Sequence, residues 1–413
     1  MPTEQVEHLL IGGGLASAKC ARTLREEGAK GRVLIVGREP DPPYNRPNCS
    51  KGFLRGLEQR EESYVDERGF YEEQQIELKL RTSVTKLDLS AKTAKLSNGD
   101  EVAFEKALLA TGANVRRLNV DGCQLEEIHY LRTLGNSEAI RKSVADAEQI
   151  VIVGGSYIGC EVAASLTAMG HKVTVVMQEQ VTLERGFGQE AGRFVQDLLE
   201  SHGVTFHGQD GLDRFEGDSR VRRVITEKGL QLAADTVVIG AGVSPDVQLA
   251  KAAGLELGPS GGLACDSQLR TSSPDIFAAG DICEYDSKVH RERLRIEHWD
   301  VAFNHGETAA KNMLGGAVDH EVVPYFFSVL ADWAELEYVG PTREWDEELL
   351  RGSTEEAKFT RWYLKDSRVK AALTVGRGDD LEHAGRLIAS HTQLDDSAKA
   401  ALADPDSDLG SLS

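Results

Sequence analysis

The chain has 413 residues, 40% of them hydrophobic and 28% charged, with 41 glycines and a formal charge of −20 from 67 acidic and 47 basic side chains. That length exceeds one ordinary core and predicts two or three domains, and the composition excludes a chain disordered throughout. The acidic field repels nucleic acid and anionic lipid, and no apolar run approaches the roughly 20 residues a membrane span needs.

From the N-terminus, Glu4 and Glu7 lead straight into Leu9-Leu10-Ile11 without a basic segment, so no signal peptide is expected. HLLIGGGLASAKCARTL reads as a short strand, a glycine turn and a small-residue helix, followed by the strand Arg32-Val33-Leu34-Ile35-Val36. Downstream, QIVIVGGSYIGCEVAASLTAMGHKVTVVMQEQ repeats the order, with a strand from Lys172 to Met177. Each is a βαβ unit of about 30 residues, the setting that a dinucleotide fingerprint requires. Two copies are far more specific than one.

The residue types follow from that task. Gly12 allows a tight turn, and Gly14 carries no side chain to block a pyrophosphate aimed at the helix start Leu15-Ala16-Ser17. The third glycine position is Ser17, small enough for helix–strand packing. In the second copy Gly154 and Gly159 fit, but Ser156 takes the middle position ahead of Tyr157-Ile158. The phosphate there sits further out or meets the hydroxyl. Glu39 and Glu179 follow the second strands and suit ribose hydroxyls; with no arginine beside Glu179 in sequence, NADH is expected over NADPH. Arg38, next to Glu39, also reads as half of a solvated surface pair.

Two apolar strands, LLATGA at 108–113 and VVIGAG at 237–242, close the two lobes with Ala110-Thr111-Gly112 and Gly242. TSSPDIFAAGDI then ends a buried strand on Gly280-Asp281. The eleven histidines show no HxH or HExxH spacing, and no metal site is expected. Arg291-Glu292-Arg293-Leu294-Arg295 is a basic run that could dock an acidic carrier, although a solvated face is the plainer reading. Residues 394–413 carry five Asp against one Lys and read as a solvated end. The six cysteines form no CxxC or evenly spaced framework, which predicts a reducing, cytoplasmic setting.

Together these segments resemble the pyridine nucleotide-disulfide oxidoreductase superfamily, most closely its ferredoxin reductase, monodehydroascorbate reductase and apoptosis-inducing factor branch. The deciding stretch is PPYNRPNCSKGFL at 42–54, similar to that branch's PYxRPxLSKxxL. The resemblance implies an α/β fold: two glutathione reductase-type Rossmann domains plus a small α+β C-terminal domain. FAD would take residues 1–114 and 245–320, NADH 115–244, and the C-terminal domain 321–392, before an acidic flexible tail at 393–413. It further implies that Gly12, Gly14 and Glu39 hold the ADP half of FAD, and that Arg46 and Lys51 face the flavin and its phosphates. Val84, Thr111, Gly112 and Arg132 match further FAD positions, Asp281 a ribityl contact, and Glu297-His298-Trp299 the helix start beneath the isoalloxazine.

In that branch the lysine of SK pairs, near flavin N5, with the glutamate after the second glycine motif, here Lys51 and Glu161. Such a pair is also an ordinary buried ion pair between domains. PYFFS at 324–328 resembles an element whose aromatic residue packs near the flavin, and puts Phe327 where relatives carry Trp or Tyr. After Ala331 only a small lobe is inferred, with strands from Ala357 to Leu364 and Val369 to Val375 and a helix around Leu381 to Ser390.

The implied function is an NADH-dependent flavoprotein reductase that passes electrons to an acceptor, a ferredoxin or a Rieske-type iron–sulfur protein, as monomer or homodimer. No CxxxxC follows the first glycine turn, which argues against dithiol chemistry. Two alternatives stay open. One is a slow, redox-sensing flavoprotein of the apoptosis-inducing factor type. The other is a single-cysteine NADH oxidase or disulfide reductase working through Cys49.

Overall fold

The two glycine turns each sit at the end of a parallel strand, one in each of two sheets. The computed structural model describes residues 4–412. They divide into two units: one comprises the chain up to Asn45, Ser63–Asn114 and Ser244–Pro324, and the other Arg46–Glu62, Val115–Val243 and the chain from Tyr325 onward.

In the first unit, Glu4–Ile11 lies between Val33–Val36 and Glu101–Leu109, both parallel to it, and Ile76–Lys79 extends the sheet beyond Val33–Val36. All four residues of Val33–Val36 are buried, as a parallel strand covered on both faces demands. Ile276–Ala278 pairs in parallel with the far end of Glu101–Leu109, which delivers the Gly280 turn to the same sheet edge as Gly12. Helix Leu15–Glu26 and helix Trp299–Met313 pack closely: a Cβ on Gly306 would stand 2.5 Å from the carbonyl oxygen of Ala16.

The second unit repeats the motif with Gln149–Val153 between Lys172–Val176 and Thr236–Ile239, all parallel. Its helix Tyr157–Ala168 is apolar almost throughout and is buried from Gly159 to Leu166. The same unit holds a five-stranded antiparallel sheet of Tyr325–Leu330, Ala334–Val339, Arg368–Val375, Lys358–Lys365 and Glu347–Ser353, in that spatial order. Three of these strands go beyond the two read from sequence. Tyr325–Leu330 and Ala334–Val339 mix polar and apolar residues without a clean period of two, and so hide in the sequence.

Two sequence expectations change here. Residues 46–62, expected in the first domain, pack in the second unit. The acidic end is not a loose tail. Asp396–Ala403 forms a helix capped by Asp395, and Leu394, Leu402 and Leu409 are buried. The guanidinium of Arg351 binds the carbonyl oxygens of Ala401, Asp404 and Ser407. Three leucines spaced through a polar segment sufficed to anchor it, and composition averages them away.

Candidate active site

Gly12 has φ +125°, and a Cβ there would lie 2.1 Å from the carbonyl oxygen of Ala110, so the turn itself requires glycine. Gly14 differs. Its φ is −102°, its added Cβ would meet nothing within 4 Å, and it stands at the N-cap of helix Leu15–Glu26 without a side-chain cap. No described atom demands glycine at this position, and the space it leaves opens at a helix start whose first N–H groups receive no side-chain cap from Gly14. An anionic pyrophosphate fits that space, where the helix dipole and free donors both favour it.

Around this turn the first unit gathers other expected residues. The Glu39 carboxylate accepts from the Tyr44 hydroxyl at 2.5 Å. Arg38 turns instead to Asp246, at 2.9 Å, and to Asn114, so it is no surface partner of Glu39. Thr111 donates to the carbonyl oxygen of Asp246 at 2.7 Å, and Gly112 has φ +70°. Gly280 is close enough to the glycine turn that its added Cβ would lie 3.6 Å from the Ala16 Cβ. His298 caps helix Trp299–Met313 by accepting from the N–H of Asp300, and Trp299 donates to Asn45 at 2.8 Å. Glu297 accepts from Arg295 at 2.5 Å. Val84 lies on the strand Val84–Asp88, whose pairing partner is Thr93–Leu96.

In the second unit, Gly154 has φ +110° and Gly159 packs on it, with an added Cβ only 2.1 Å from the Gly154 carbonyl oxygen. Ser156 is the N-cap: its hydroxyl accepts from Gly159 N–H at 3.3 Å and donates to the Gly240 carbonyl at 3.0 Å. The hydroxyl therefore serves the helix start itself. Tyr157 and Ile158 are 40% and 39% exposed at this helix start. Gly242 has φ +85° and open space around it. Glu179 carries a neighbour that the local sequence hides, because Arg185, on helix Glu184–Ser201, binds its carboxylate at 2.7 Å.

The same unit builds a charged cluster from three stretches of chain. Lys51 Nζ lies 2.8 Å from Glu161 Oε1, and both side chains are largely buried. Ser328 donates to the same oxygen at 2.7 Å, and Ser50 donates to Oε2 at 2.5 Å. Ser165 in turn holds the carbonyl oxygen of Ser50 at 2.6 Å. Donors on both oxygens satisfy the buried carboxylate and fix its orientation beside the lysine. The Lys51 ammonium is 5.9 Å from the centre of the Phe327 ring. Arg46 donates to the carbonyl oxygen of Arg132 at 2.7 Å, which brings these two expected residues together.

Sequence reasoning found Lys51, Glu161 and Phe327 but missed Ser50, Ser165 and Ser328 as their supports. All three lie in recognisable stretches, Ser50 in SK, Ser328 in PYFFS and Ser165 one turn of helix beyond Glu161, and a serine near a charged or aromatic motif residue was the available signal. Cys49 is buried, and no disulfide links the six cysteines. Burial pushes the Cys160 thiol up to about 12, far from a reactive thiolate. In the basic run, Arg293 binds Asp286 and the carbonyl oxygens of Glu284 and Cys265, and Arg295 binds Glu297 and the Asp281 carbonyl. Those guanidinium groups serve the chain's own folding. No helix among the described residues is long and apolar enough to cross a membrane.

Two glycine cradles on parallel sheets, one with space left for a pyrophosphate, define a protein that binds two dinucleotides. The chain belongs to the pyridine nucleotide-disulphide oxidoreductase family, whose sequence pattern matches residues 6–306, and a reductase C-terminal domain matches 333–413. It is an NAD-linked oxidoreductase with FAD as its flavin. It is similar to the ferredoxin–NAD(+) reductase component of the anthranilate 1,2-dioxygenase system of Burkholderia cepacia, 31% identical over 96% of this chain and 97% of that protein. The human apoptosis-inducing factor 3 is 28% identical over 92% of this chain and 63% of its own length. Among solved structures, the ferredoxin reductase for the CYP199A2 system of Rhodopseudomonas palustris has a TM-score of 0.93 at 29% identity, with 98% of each chain covered. Putidaredoxin reductase in covalent complex with putidaredoxin has a TM-score of 0.89 at 30% identity, covering 98% of this chain and 99% of that one.

Proposed function

We propose that this chain is the reductase of an electron-transfer pair, working from NADH through FAD to a small iron–sulfur protein of the ferredoxin or Rieske kind. Bound FAD supplies the conversion of a two-electron hydride donor into single-electron steps. Gly12, Gly14 and Glu39 hold its ADP half, with Thr111, Gly112, Arg132 and Asp281 as further contacts, and Gly154, Ser156, Gly159 and Glu179 hold NADH. Lys51 presents a positive charge where negative charge develops on the flavin, and Glu161 orients that lysine. The observation that carries the reading is the doubly donated Glu161 carboxylate: Ser50, Ser328 and Lys51 fix it at 2.5–2.8 Å, a degree of preorganisation that an incidental ion pair does not need. We place the protein in the cytoplasm, which supplies NADH and suits six cysteines without a disulfide.

One feature favours a second reading, a slowly reacting NADH-sensing flavoprotein. Ser156 takes up the Gly159 N–H that a glycine would leave free for a phosphate. Anaerobic stopped-flow mixing of the holoenzyme with NADH, and separately with NADPH, decides between the two. Fast flavin bleaching by NADH, followed by reoxidation on adding a [2Fe-2S] ferredoxin, is expected. Slow bleaching with a persistent long-wavelength band and no transfer to the ferredoxin would replace the reductase by the sensor.

A further inference from the structure

A buried aromatic cluster lies behind the Gly280-Asp281 turn. His305 projects from helix Trp299–Met313 and is fully buried; its Nδ1 accepts the backbone N–H of Gly280 at 3.3 Å. Its ring meets Tyr285 edge-on at 4.8 Å and His320 edge-on at 4.5 Å, and His320 is itself held by the Thr308 hydroxyl at 3.0 Å. An accepting Nδ1 fixes the neutral tautomer with its proton on Nε2, and that Nε2 has no hydrogen-bond partner among the described residues.

A buried imidazole that satisfies only one nitrogen is a costly way to fill space, and leucine would fill it without an unpaired donor. The cost is intelligible only through what Nδ1 does. The strand Ile276–Ala278 has ended, Ala279 N–H goes to Leu109, and the next N–H, that of buried Gly280 at φ +75°, turns to the His305 ring and to no backbone acceptor among the described residues. Burial, and secondarily the neighbouring His320, hold His305 well below the ordinary histidine range, so the imidazole stays an acceptor at neutral pH.

We propose that His305 is a positioning residue for flavin binding: by accepting the Gly280 N–H it locks the turn that presents Asp281 to FAD. The proposal rests on the reading of Asp281 as a flavin contact. Helix Trp299–Met313 is pinned to helix Leu15–Glu26 at Gly306, the residue after His305, so the acceptor stands on a rigid support at the pyrophosphate end of the same site. The lock is therefore set by the two helices that flank the cradle rather than by the turn alone.

The test compares His305→Leu with His305→Asn. Asparagine places a carbonyl oxygen near the position of Nδ1 and keeps the acceptor; leucine keeps the bulk and removes it. FAD dissociation from the holoenzyme, followed by the fluorescence of released flavin, should become about tenfold easier in H305L and stay within about threefold of the parent in H305N. A packing role predicts the reverse order, and that order, or equal loss in both variants, would overturn the proposal. Asp281→Ala separates the two levels of the argument. Weakened FAD in D281A with none in H305L removes the lock alone, whereas unchanged FAD in D281A removes the reading beneath it. Nitrogen-15 NMR of the parent protein needs no variant: a His305 with an unprotonated Nδ1 supports the lock, and a protonated Nδ1 refutes it.

Discussion

Glu161 shows how one residue draws meaning from three distant segments. Its carboxylate is separated from Ser50 by 111 residues and from Ser328 by 167, yet all the contacts are at hydrogen-bond length. Ser328→Ala leaves Oε1 to Lys51 alone, and the NADH-driven bleaching rate should fall about fivefold, the equivalent of one ordinary hydrogen bond. Lys51→Met removes the charge, and the same rate should fall on the order of 100-fold, while the absorption spectrum of bound FAD persists. If the double variant is no slower than K51M, the serine acts through the lysine; full additivity would separate them. The lysine and glutamate were legible because they fall in recognisable motifs. The serines were not, since a serine's role is set by what faces it and nothing local to Ser328 specifies Glu161. Arg185 makes the same point, reaching Glu179 from a helix that begins five residues later.

Helix starts and glycine turns are where local sequence and local structure agree best. Gly12 and Gly14 nevertheless serve different ends, and substitution should separate them. Gly12→Ala forces a positive φ on alanine and drives its Cβ into the Ala110 carbonyl, so the thermal midpoint of the apoprotein should drop steeply. Gly14→Ala meets nothing in the chain, and the apoprotein should melt as the parent does while FAD affinity falls about tenfold or more. Equal melting of both variants would contradict the assignment of Gly12 to the fold and Gly14 to the ligand. The second turn departs from the first because Ser156 caps its own helix. The sequence placed the serine in the phosphate position, and the Gly240 carbonyl 3.0 Å away, on the neighbouring strand's end, gives its hydroxyl a structural partner as well.

For the molecule as a whole, buried neutral histidines set the acid limit. Burial lowers His320 from 6.5 to about 4, lowers His8 to about 4 with help from Lys106, and holds His305 well below its ordinary value. Between the unfolded and folded values these groups bind a proton only in the unfolded chain. Their stability contribution is therefore complete above about pH 6.5 and is lost progressively as the pH falls towards 4. His320 alone corresponds to about 3 kcal/mol across that window. The thermal midpoint should be flat from about pH 7 upward and fall steeply below 6.5, and His320→Asn should make that fall shallower. An unchanged slope in the variant would show that His320 titrates freely in the native protein. The net charge of −20 tells nothing of this, because the determining groups are neutral and internal.

By itself the sequence determined the class of fold and two dinucleotide sites, because βαβ units and glycine turns are written in consecutive residues whose steric demands are local; that one of them takes FAD came from the family resemblance. It also named Lys51 and Glu161, through motifs. Tertiary structure alone decided that Ser156 is a cap, that Glu179 carries Arg185, that three leucines dock the acidic end, and that Ser50 and Ser328 complete the Glu161 site. Apart from Glu179 and Arg185, six residues apart, these are pairings across tens to hundreds of residues, and a hydrogen bond depends on a distance in space that no spacing along the chain records.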